Sequence, residues 1–352
     1  MIKTNKHIEI VRSNKTWLSS MSQKSAEAIL RVLSKHYAHV GITTVDNMSD
    51  LEELVACRPD LVFLGMKFVP VDELLGWHDS EKVWLADYLD EHGITYTGSR
   101  RVAHELELNK AQAKQTVLDA GLETSPFWLA KQDERPGADL TSLAFPLFVK
   151  PANRGGGLGV SGDSVVYNTR ELQSKIGSIA TELRSDSLVE EYLPGREFSV
   201  AILKNEYLPG FSIMPIELAV DPDERGLSLL SGHVKSSDTE HVQEVPDGIL
   251  KDKITTLAMD VFYALGARDY GRFDIRLDRH GVPQFLEANL LPSLISGYGS
   301  FPRACVLNMN LAYEPMLLSI VQLALARSLD ETGYILEPEL TASALLPSLE
   351  SI

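Results

Sequence analysis

The sequence predicts an α/β protein whose first ~100 residues form a parallel sheet covered by helices. Short runs of apolar and β-branched residues at positions 7–11, 40–45 and 61–64 alternate with helical patterns at positions 25–33 and 79–93. This alternation is typical of parallel sheets packed against helices. The composition, with 44% hydrophobic and 23% charged residues, is that of a globular protein, and 352 residues suggest roughly two to three domains.

A second series of elements is predicted after Asn109. A helix over positions 110–120 ends at Gly121, and an apolar strand over 146–150 ends in a lysine. Further elements are predicted as strands at 187–191 and 197–203, a helix at 249–265, a hairpin of strands 269–277 and 284–288, and a helix at 305–329 that could break near Pro315. These patterns divide the chain into an N-terminal α/β domain (1–108), a central subdomain (109–194), a C-terminal subdomain (195–330) and a surface tail (331–352).

The charge balance argues against two classes of partner. Lys and Arg number 33 against 49 Asp and Glu, so the formal net charge is −16. An acidic surface repels phosphate backbones and anionic lipids, so we expect neither a nucleic-acid nor a membrane partner, although a local basic cleft could bind an anionic substrate. No run approaches the ~20 apolar residues of a membrane span, and the N-terminus has no signal-peptide pattern. Cys57 and Cys305 cannot form a disulfide framework, so we expect a soluble, cytoplasmic protein.

The densest glycine cluster directly follows Lys150, at the end of the strand predicted over 146–150. Its members are Gly155, Gly156, Gly157, Gly159 and Gly162. Because glycine has no Cβ, the amides of such a loop can approach a phosphate group closely. It is not a Walker loop, since no Gly-Lys-Ser/Thr follows, and the first domain lacks the Gly-x-Gly-x-x-Gly turn of dinucleotide-binding proteins. A flexible surface turn is the alternative, and Lys150 favours phosphate binding over it.

The predicted hairpin at 269–288 carries a row of polar side chains. Alternate residues of a strand share a face, so one face of the first strand presents Arg272, Asp274 and Arg276, and the second strand presents Glu287 and Asn289. Carboxylate and amide oxygens from two adjacent strands suit a hard cation such as Mg²⁺, held between the protein and the phosphates of a nucleotide. The alternative is an exposed charged sheet. We favour the metal site because the apolar residues that alternate with this row indicate a buried face: Phe273, Ile275, Phe285 and Leu286.

Three glutamates border the predicted turn at 194–195. Glu190 and Glu191 end one predicted strand, and Glu197 begins the next. Carboxylates in this position could hold a ribose or an adenine amine. Such a pattern more commonly marks the charged, solvent-exposed end of a strand. These residues alone are therefore weak evidence for a nucleotide site.

Together these segments resemble a known family. KPANRGGGLGV, VEEYLPGREFSVAIL, GRFDIRLD and FLEANLLP follow the order, and nearly the spacing, of the ATP-grasp fold, and they are most similar to the D-alanine–D-alanine ligase family over roughly residues 95–325. The resemblance implies that the two later subdomains are ATP-grasp subdomains. It also implies that the ATP phosphates are contacted by Lys110, Lys150 and Lys235, and that adenine and ribose are held by Glu190, the backbone near Leu193, and Glu197. Two Mg²⁺ (or Mn²⁺) ions would be bound by Asp274, Glu287 and Asn289. Arg272 would stabilise the oxyanion of the reaction.

The sequence departs from the family where the first substrate binds. A glutamate near the N-terminus, a serine in the glycine loop and a tyrosine after a lysine form a triad in the family; the corresponding residues here are Ser20, Gly156 and Ser236. The family's His-Gly after the third strand is also replaced, around Lys67. The phosphate and metal residues are thus retained, whereas the first-substrate pocket is rebuilt. Arg272 and the segment with Ser293, Ser296 and Tyr298 could hold the carboxylate of an incoming amino acid.

The resemblance implies an ATP-dependent carboxylate–amine ligase that acts on small molecules, releases ADP and phosphate, and forms a homodimer. The rebuilt pocket favours a specialised ligase, and the ligases of mycosporine-like amino acid synthesis are similar in family and length. A genuine D-alanine–D-alanine ligase is an alternative. So are a nucleotide-binding regulatory protein without turnover and a kinase-like enzyme that stops at the phosphorylated intermediate.

Overall fold

A computed structural model of the chain describes residues 3–15, 18–72, 75, 80–132, 143–154, 158–205, 209–222, 224–228 and 241–330. The strands are β1 (Thr4–Arg12), β2 (Tyr37–Thr44), β3 (Leu61–Leu64), β4 (Phe68–Pro70), β5 (Lys82–Trp84), β6 (Phe127–Ala130), β7 (Leu147–Pro151), β8 (Val165–Val166), β9 (Ser187–Glu191), β10 (Glu197–Lys204), β11 (Phe211–Ala219), β12 (His241–Glu244), β13 (Tyr270–Leu277) and β14 (Pro283–Asn289). The helices are α1 (Gln23–Leu33), α2 (Met48–Ala56), α3 (Leu85–Glu91), α4 (Arg101–Leu108), α5 (Lys110–Asp119), α6 (Thr169–Leu183), α7 (Ile249–Ala264), α8 (Ser300–Met309) and α9 (Tyr313–Asp330).

The first sheet is parallel, as the strand–helix alternation predicts. Its order is β2–β1–β3, and Ile8 and Ile10 on the central strand β1 and Phe63 on β3 are fully buried. Helix α1 packs against this sheet and begins at Ser22, whose hydroxyl accepts a hydrogen bond from the amide of Ser25. The local patterns and caps therefore agree with the fold in this part of the chain.

The helix predicted over 79–93 is wrong in its first part. Lys82–Trp84 forms β5, which pairs antiparallel with β4, and the helix begins only at Leu85. Trp84 lies opposite Phe68 with ring centroids 5.5 Å apart, and both side chains are buried. This cross-strand aromatic contact stabilises an extended segment that the sequence pattern alone does not distinguish from a helical turn.

The central sheet is antiparallel and has the order β6–β9–β7–β8. Val149 and Val189 form its inner face, and helix α6 covers them with Leu172, Ile176 and Ile179. Strand β7 carries Lys150 and leads into the glycine-rich segment.

The third sheet has the order β12–β11–β10–β13–β14, with antiparallel pairs throughout. On one face, Phe198, Val200 and Phe273 pack against α7. On the other, Met214 and Ile216 belong to a core that also includes residues of the N-terminal sheet and of helices α1, α8 and α9. This shared core fixes the third sheet beside the N-terminal sheet.

The C-terminal helical region consists of two helices rather than one. Helix α8 ends at Met309, and α9 begins at Tyr313. The break lies at Asn310, which adopts a left-handed conformation with φ of 50°, and not at Pro315. Pro315 occupies the first turn of α9, where a missing backbone N–H costs no helical hydrogen bond.

Within the described residues, no single helix is long and apolar enough to cross a bilayer. Helices α8 and α9 meet that test only as a pair bent by 104°.

Candidate active site

A cleft lies between the central sheet and the C-terminal sheet. The predicted site residues that line it are Lys110, Lys150, Glu190, Leu193, Glu197, Asp274 and Glu287. Three separate parts of the sequence are therefore brought together at one surface. Arg272 and Asn289 contact Asp274 at the edge of this cleft.

Glu190 organises one end of the cleft. Its carboxylate is 2% exposed and pairs with the ammonium groups of Lys150 at 2.7 Å and Lys114 at 2.8 Å. Burial by itself would raise the pKa of Glu190, but Lys114 and Lys150 outweigh it and hold the pKa below its usual range. Both carboxylate oxygens of Glu190 are thus paired with lysines.

Lys114 is not indicated by any sequence motif, although it is fully buried. Its partners include Thr124, Ser125 and the carbonyl of Phe285. The only local signal is its spacing of four residues from Lys110, which places both lysines on one face of α5 together with apolar residues.

Lys110 extends from the start of α5 to two other elements. Its ammonium donates to the carbonyl of Arg154, at the start of the glycine-rich segment, and lies 3.9 Å from Glu287. In the same segment, Gly159 has φ of +76°, and a Cβ there would lie 2.7 Å from the Pro151 side chain. Glycine is therefore required at this position for both conformation and space.

The predicted metal ligands lie on facing strands. Glu287 pairs with Asp274, but Ile275 pairs with Phe285, so Leu286 is an extra residue that forms a β-bulge. Leu286 consequently lines the cleft beside Glu287. The prediction that Leu286 belongs to the buried face is wrong, because alternation along the strand is broken at the bulge.

Asp274 is held by three donors. The Ser199 hydroxyl donates to Oδ1 at 2.8 Å, while Arg272 and the Asn289 amide donate to Oδ2 at 3.0 and 3.2 Å. In the part of the chain that the structure describes, no three His, Cys, Asp or Glu side chains converge as a metal cluster. Two carboxylates and an amide nevertheless fit Mg²⁺, which binds proteins through one or two carboxylates and takes further oxygens from phosphates and water.

Arg272 is kept cationic. Burial would lower the pKa of its guanidinium, but Asp274 and Glu287 outweigh burial and raise it. Its Nε is buried and makes no hydrogen bond within the described part of the chain. Arg272 is therefore a fixed positive charge next to the predicted metal ligands.

A buried ion pair lies close enough to affect Arg272. Lys67 pairs with Glu107 at 2.8 Å, and His104 contacts the other oxygen of Glu107 at 3.2 Å. Burial would raise the pKa of Glu107, but Lys67 and His104 lower it to about 2. Lys67 is the residue that replaces the family's histidine; neither Glu107 nor His104 is indicated by a motif, since their pattern on α4 is that of an ordinary surface helix.

The opposite end of the cleft is shaped by Arg276. Its guanidinium pairs with Glu197 at 3.0 Å and lies over the Tyr192 ring, 5.5 Å from the ring centroid. Leu193 is buried and lines the same part of the cleft. Leu193 and Glu197, two of the predicted adenine- and ribose-binding residues, therefore lie at this end, whereas the third, Glu190, pairs with Lys114 and Lys150 at the other.

A second, much smaller cavity lies between the N-terminal sheet and the segment after β14. Ser20, Ser25 and Tyr270 contribute hydroxyl-bearing side chains to its lining, which also includes Met21, Leu64, Gly65, Leu291, Pro292 and Leu294. Tyr270 precedes Arg272 by two residues on β13, so both face the same side of the strand. Arg272 therefore lies on the strand face that borders this cavity but is not part of its lining.

The predicted carboxylate-binding segment forms a tight turn after β14. The amides of Tyr298 and Gly299 donate to the carbonyl of Ile295. A Cβ at Gly299 would lie 2.4 Å from the Ser293 carbonyl oxygen. Ser293, Ser296 and Tyr298 do not line either cavity.

Several predicted residues lie outside the described part of the chain. They are Gly155, Gly156, Gly157, Lys235, Ser236 and the tail at 331–352.

Comparison with known proteins gives one family and several relatives. The profile of the family described as "D-ala D-ala ligase C-terminus" matches residues 117–322. A Sinorhizobium fredii protein, named only as uncharacterized protein y4sG, is 32% identical over 210 residues, which cover 58% of this chain and 60% of that protein. The D-alanine–D-alanine ligase of Alcanivorax borkumensis is 29% identical over 272 residues, covering 77% of this chain and 82% of that enzyme.

The fold of this chain is also similar to those of solved ligase structures. The D-alanine–D-alanine ligase of Bacillus anthracis, crystallised with ATP, superimposes with a TM-score of 0.72 at 20% identity, covering 94% of this chain and 100% of that one. The corresponding ligase of Coxiella burnetii gives a TM-score of 0.64 at 16% identity, covering 93% of this chain and 96% of that one. The predicted ATP-grasp fold is therefore confirmed.

Proposed function

Because this chain belongs to the D-alanine–D-alanine ligase family, we propose that it is an ATP- and Mg²⁺-dependent ligase that joins a phosphorylated carboxylate to the amine of an amino acid. The observation that carries the proposal is the row of paired charges along the main cleft. Lys150 pairs with Glu190, Lys110 lies beside Glu287, and Arg272 pairs with Asp274. Cations for phosphates and oxygen ligands for a metal thus alternate along this cleft.

In this proposal the chain's own residues bind and align ATP. Tyr192, Leu193 and Leu286 supply apolar walls at the end where Glu197 and Arg276 lie. Lys150 and Lys110 then neutralise the phosphates, and Asp274, Glu287 and Asn289 hold Mg²⁺. The bound metal would supply charge neutralisation for the transferred phosphoryl group.

The reaction proceeds in two steps. A carboxylate oxygen of the first substrate attacks the γ-phosphorus, the bond to the β,γ-bridging oxygen breaks, and ADP leaves. The amine of the second substrate then attacks the acyl carbon, and the C–O bond to phosphate breaks after the amine has lost a proton. Arg272 stabilises the oxyanion that forms between these events, because its charge is fixed beside Asp274.

The first substrate is proposed to differ from D-alanine, as in the specialised ligases that include those of mycosporine-like amino acid synthesis. Support comes from Ser20, which stands where the family has a glutamate and lines the second cavity, and from Lys67, which replaces the family's histidine. Genuine D-alanine–D-alanine ligation is the second candidate, favoured by the relatives' names and by the retained phosphate and metal residues.

Three further features are proposed from the resemblance. The chain would consist of the N-terminal domain (1–108) and two ATP-grasp subdomains (109–194 and 195–330), would act in the cytoplasm on small molecules, and would form a homodimer.

An ADP-release screen tests the proposal. The purified protein is incubated with ATP, Mg²⁺ and amino acids paired with candidate carboxylic acids, and each product is identified by mass spectrometry. We expect ADP release that needs both substrates, with Glu287→Gln inactive in parallel. Nucleotide binding without turnover in any pair would instead indicate a regulatory protein, and a phosphorylated product formed without an amine would indicate a kinase-like enzyme.

A further inference from the structure

Lys114 connects two walls of the main cleft, one that carries Glu190 and one that carries Phe285. Its side chain has no exposed surface, and its ammonium contacts Glu190 at 2.8 Å, Ser125 at 3.1 Å and the carbonyl of Phe285 at 3.3 Å, as well as the hydroxyl of Thr124. Burial lowers the pKa of Lys114, whereas Glu190 favours the charged form. A charged group is retained in such a place only when its partners are fixed around it.

The Phe285 carbonyl is a second fixed point. It accepts hydrogen bonds from Lys114 and from the Thr124 hydroxyl at 2.7 Å, and the Phe285 amide donates to the carbonyl of Glu123 at 2.9 Å. The next residue, Leu286, is the extra residue of the bulge, and Glu287 follows it. The segment between α5 and β6 therefore holds β14 at the point where the bulge begins.

We propose that Lys114 is a positioning residue for two walls of the cleft: through Glu190 it orients Lys150 on β7, and through the Phe285 carbonyl it fixes the bulge of β14 that presents Glu287. This inference rests on the proposed ATP and Mg²⁺ site. Its consequence is that nucleotide affinity and the Mg²⁺ requirement depend on one buried ammonium.

Two substitutions separate these contacts. Lys114→Met keeps an unbranched side chain of similar length but removes the charge from both Glu190 and the Phe285 carbonyl. Thr124→Val removes one donor to that carbonyl and one acceptor of the Lys114 ammonium, and leaves the Lys114–Glu190 pair in place. Lys131→Met is the matched control, because Lys131 is half exposed and pairs with Asp186 away from the cleft.

The test measures ADP binding by calorimetry, first with EDTA and then with increasing MgCl₂, together with thermal unfolding of each variant. For Lys114→Met we expect ADP affinity without Mg²⁺ to fall about tenfold or more, and the Mg²⁺ concentration for half-maximal enhancement to rise. For Thr124→Val we expect the metal-free affinity to stay within about twofold while the Mg²⁺ midpoint rises about three- to tenfold. Lys131→Met should match the unsubstituted protein.

An unchanged Mg²⁺ midpoint in a folded Lys114→Met protein would overturn the inference. If that variant does not fold, an unchanged midpoint in Thr124→Val, which loosens both Lys114 and the Phe285 carbonyl, would overturn it instead. Lower thermal stability in both variants with unaltered ADP and Mg²⁺ binding would likewise show that Lys114 is only structural. Absence of ADP binding by the unsubstituted protein would contradict the proposed function itself, so the two failures are distinguishable.

Discussion

Glu287 lies directly opposite Asp274 on the neighbouring antiparallel strand, at the point where Leu286 interrupts the register. The bulge turns Leu286 and Glu287 toward the same cleft, so an apolar wall and a metal-ligand candidate come from consecutive residues. The carboxylate of Glu287 is partly exposed, whereas Asp274 is nearly buried behind it. Glu287 is therefore the carboxylate that a cation in the cleft would meet first.

Glu287→Gln should lower turnover at least about 100-fold, because a neutral amide is a poorer ligand for Mg²⁺ than a carboxylate. ATP should still bind, though more weakly, and the fold should survive because Glu287 faces the cleft rather than the core. Steady-state assays at saturating Mg²⁺, with nucleotide binding and thermal unfolding alongside, provide the measurement. Glu182→Gln on the exposed face of α6 serves as control. Near-normal activity in Glu287→Gln would refute the metal assignment.

Nucleotide products distinguish two mechanisms of carboxylate activation. Lys150 and Lys110 lie where they would steady phosphates beside Glu287, and the family resemblance implies attack at the γ-phosphorus. We expect turnover to yield ADP and inorganic phosphate in equal amounts, measured by chromatography and a phosphate assay. AMP and pyrophosphate would instead reveal an adenylating enzyme.

The buried pair of Glu107 and Lys67 predicts a pH dependence of stability. Glu107 has its pKa lowered from 4.5 to about 2, so the folded state binds this proton less readily than the unfolded state. Its contribution, about 3 kcal/mol in total, is present above pH 4.5 and is lost as the pH falls toward 2. Between pH 6 and pH 3.5, the loss due to this group should be about 1 kcal/mol.

Denaturant unfolding at several pH values checks this prediction. Glu107→Gln should be less stable than the unsubstituted protein at pH 6, because Lys67 is left buried without its partner. Its free energy of unfolding should fall less steeply between pH 6 and pH 3.5. Equal slopes for the two proteins would mean that the pKa of Glu107 is not lowered in the folded state.

The sequence predicts those parts of the fold where the local pattern is compatible with only one type of secondary structure. Strand β9 matches its predicted bounds, and β10 and β13 differ by a single residue, because alternation and turn residues agree there. Residues 82–84 are ambiguous between strand and helix, and their contact with Phe68 decides in favour of a strand. Pro315 is a helix breaker only inside a helix, so its position in the first turn of α9 could not be told from the residue type.

Site residues, too, can be predicted where a local motif marks them and not where only tertiary packing brings them together. Lys150, Asp274 and Glu287 lie in motifs and are predicted to share a site; the cleft does bring them together, while their roles stay a prediction. Lys114 meets Glu190, and Glu107 meets Lys67, only by tertiary packing, so no local pattern marks these pairs. The bulge at Leu286 also depends on the pairing of two strands, and alternation along one strand cannot reveal it.

D-alanine alone should support little ADP release. In the family, the first alanine is held by a triad whose glutamate corresponds to Ser20, and the loss of hydrogen bonds to a charged substrate typically costs about 1.5–3 kcal/mol each, or roughly ten- to a hundredfold in rate. Gly156 and Ser236, at the other two positions of the triad, are smaller than the family's serine and tyrosine, so we expect a bulkier first substrate, while Arg272 remains as a donor for a carboxylate. An ordinary amino acid with a larger carboxylic acid should therefore release far more ADP. Incubation with ATP, Mg²⁺ and D-alanine, followed by mass spectrometry, provides the measurement, and efficient formation of the D-alanine dipeptide would show that the ordinary activity of the family is retained.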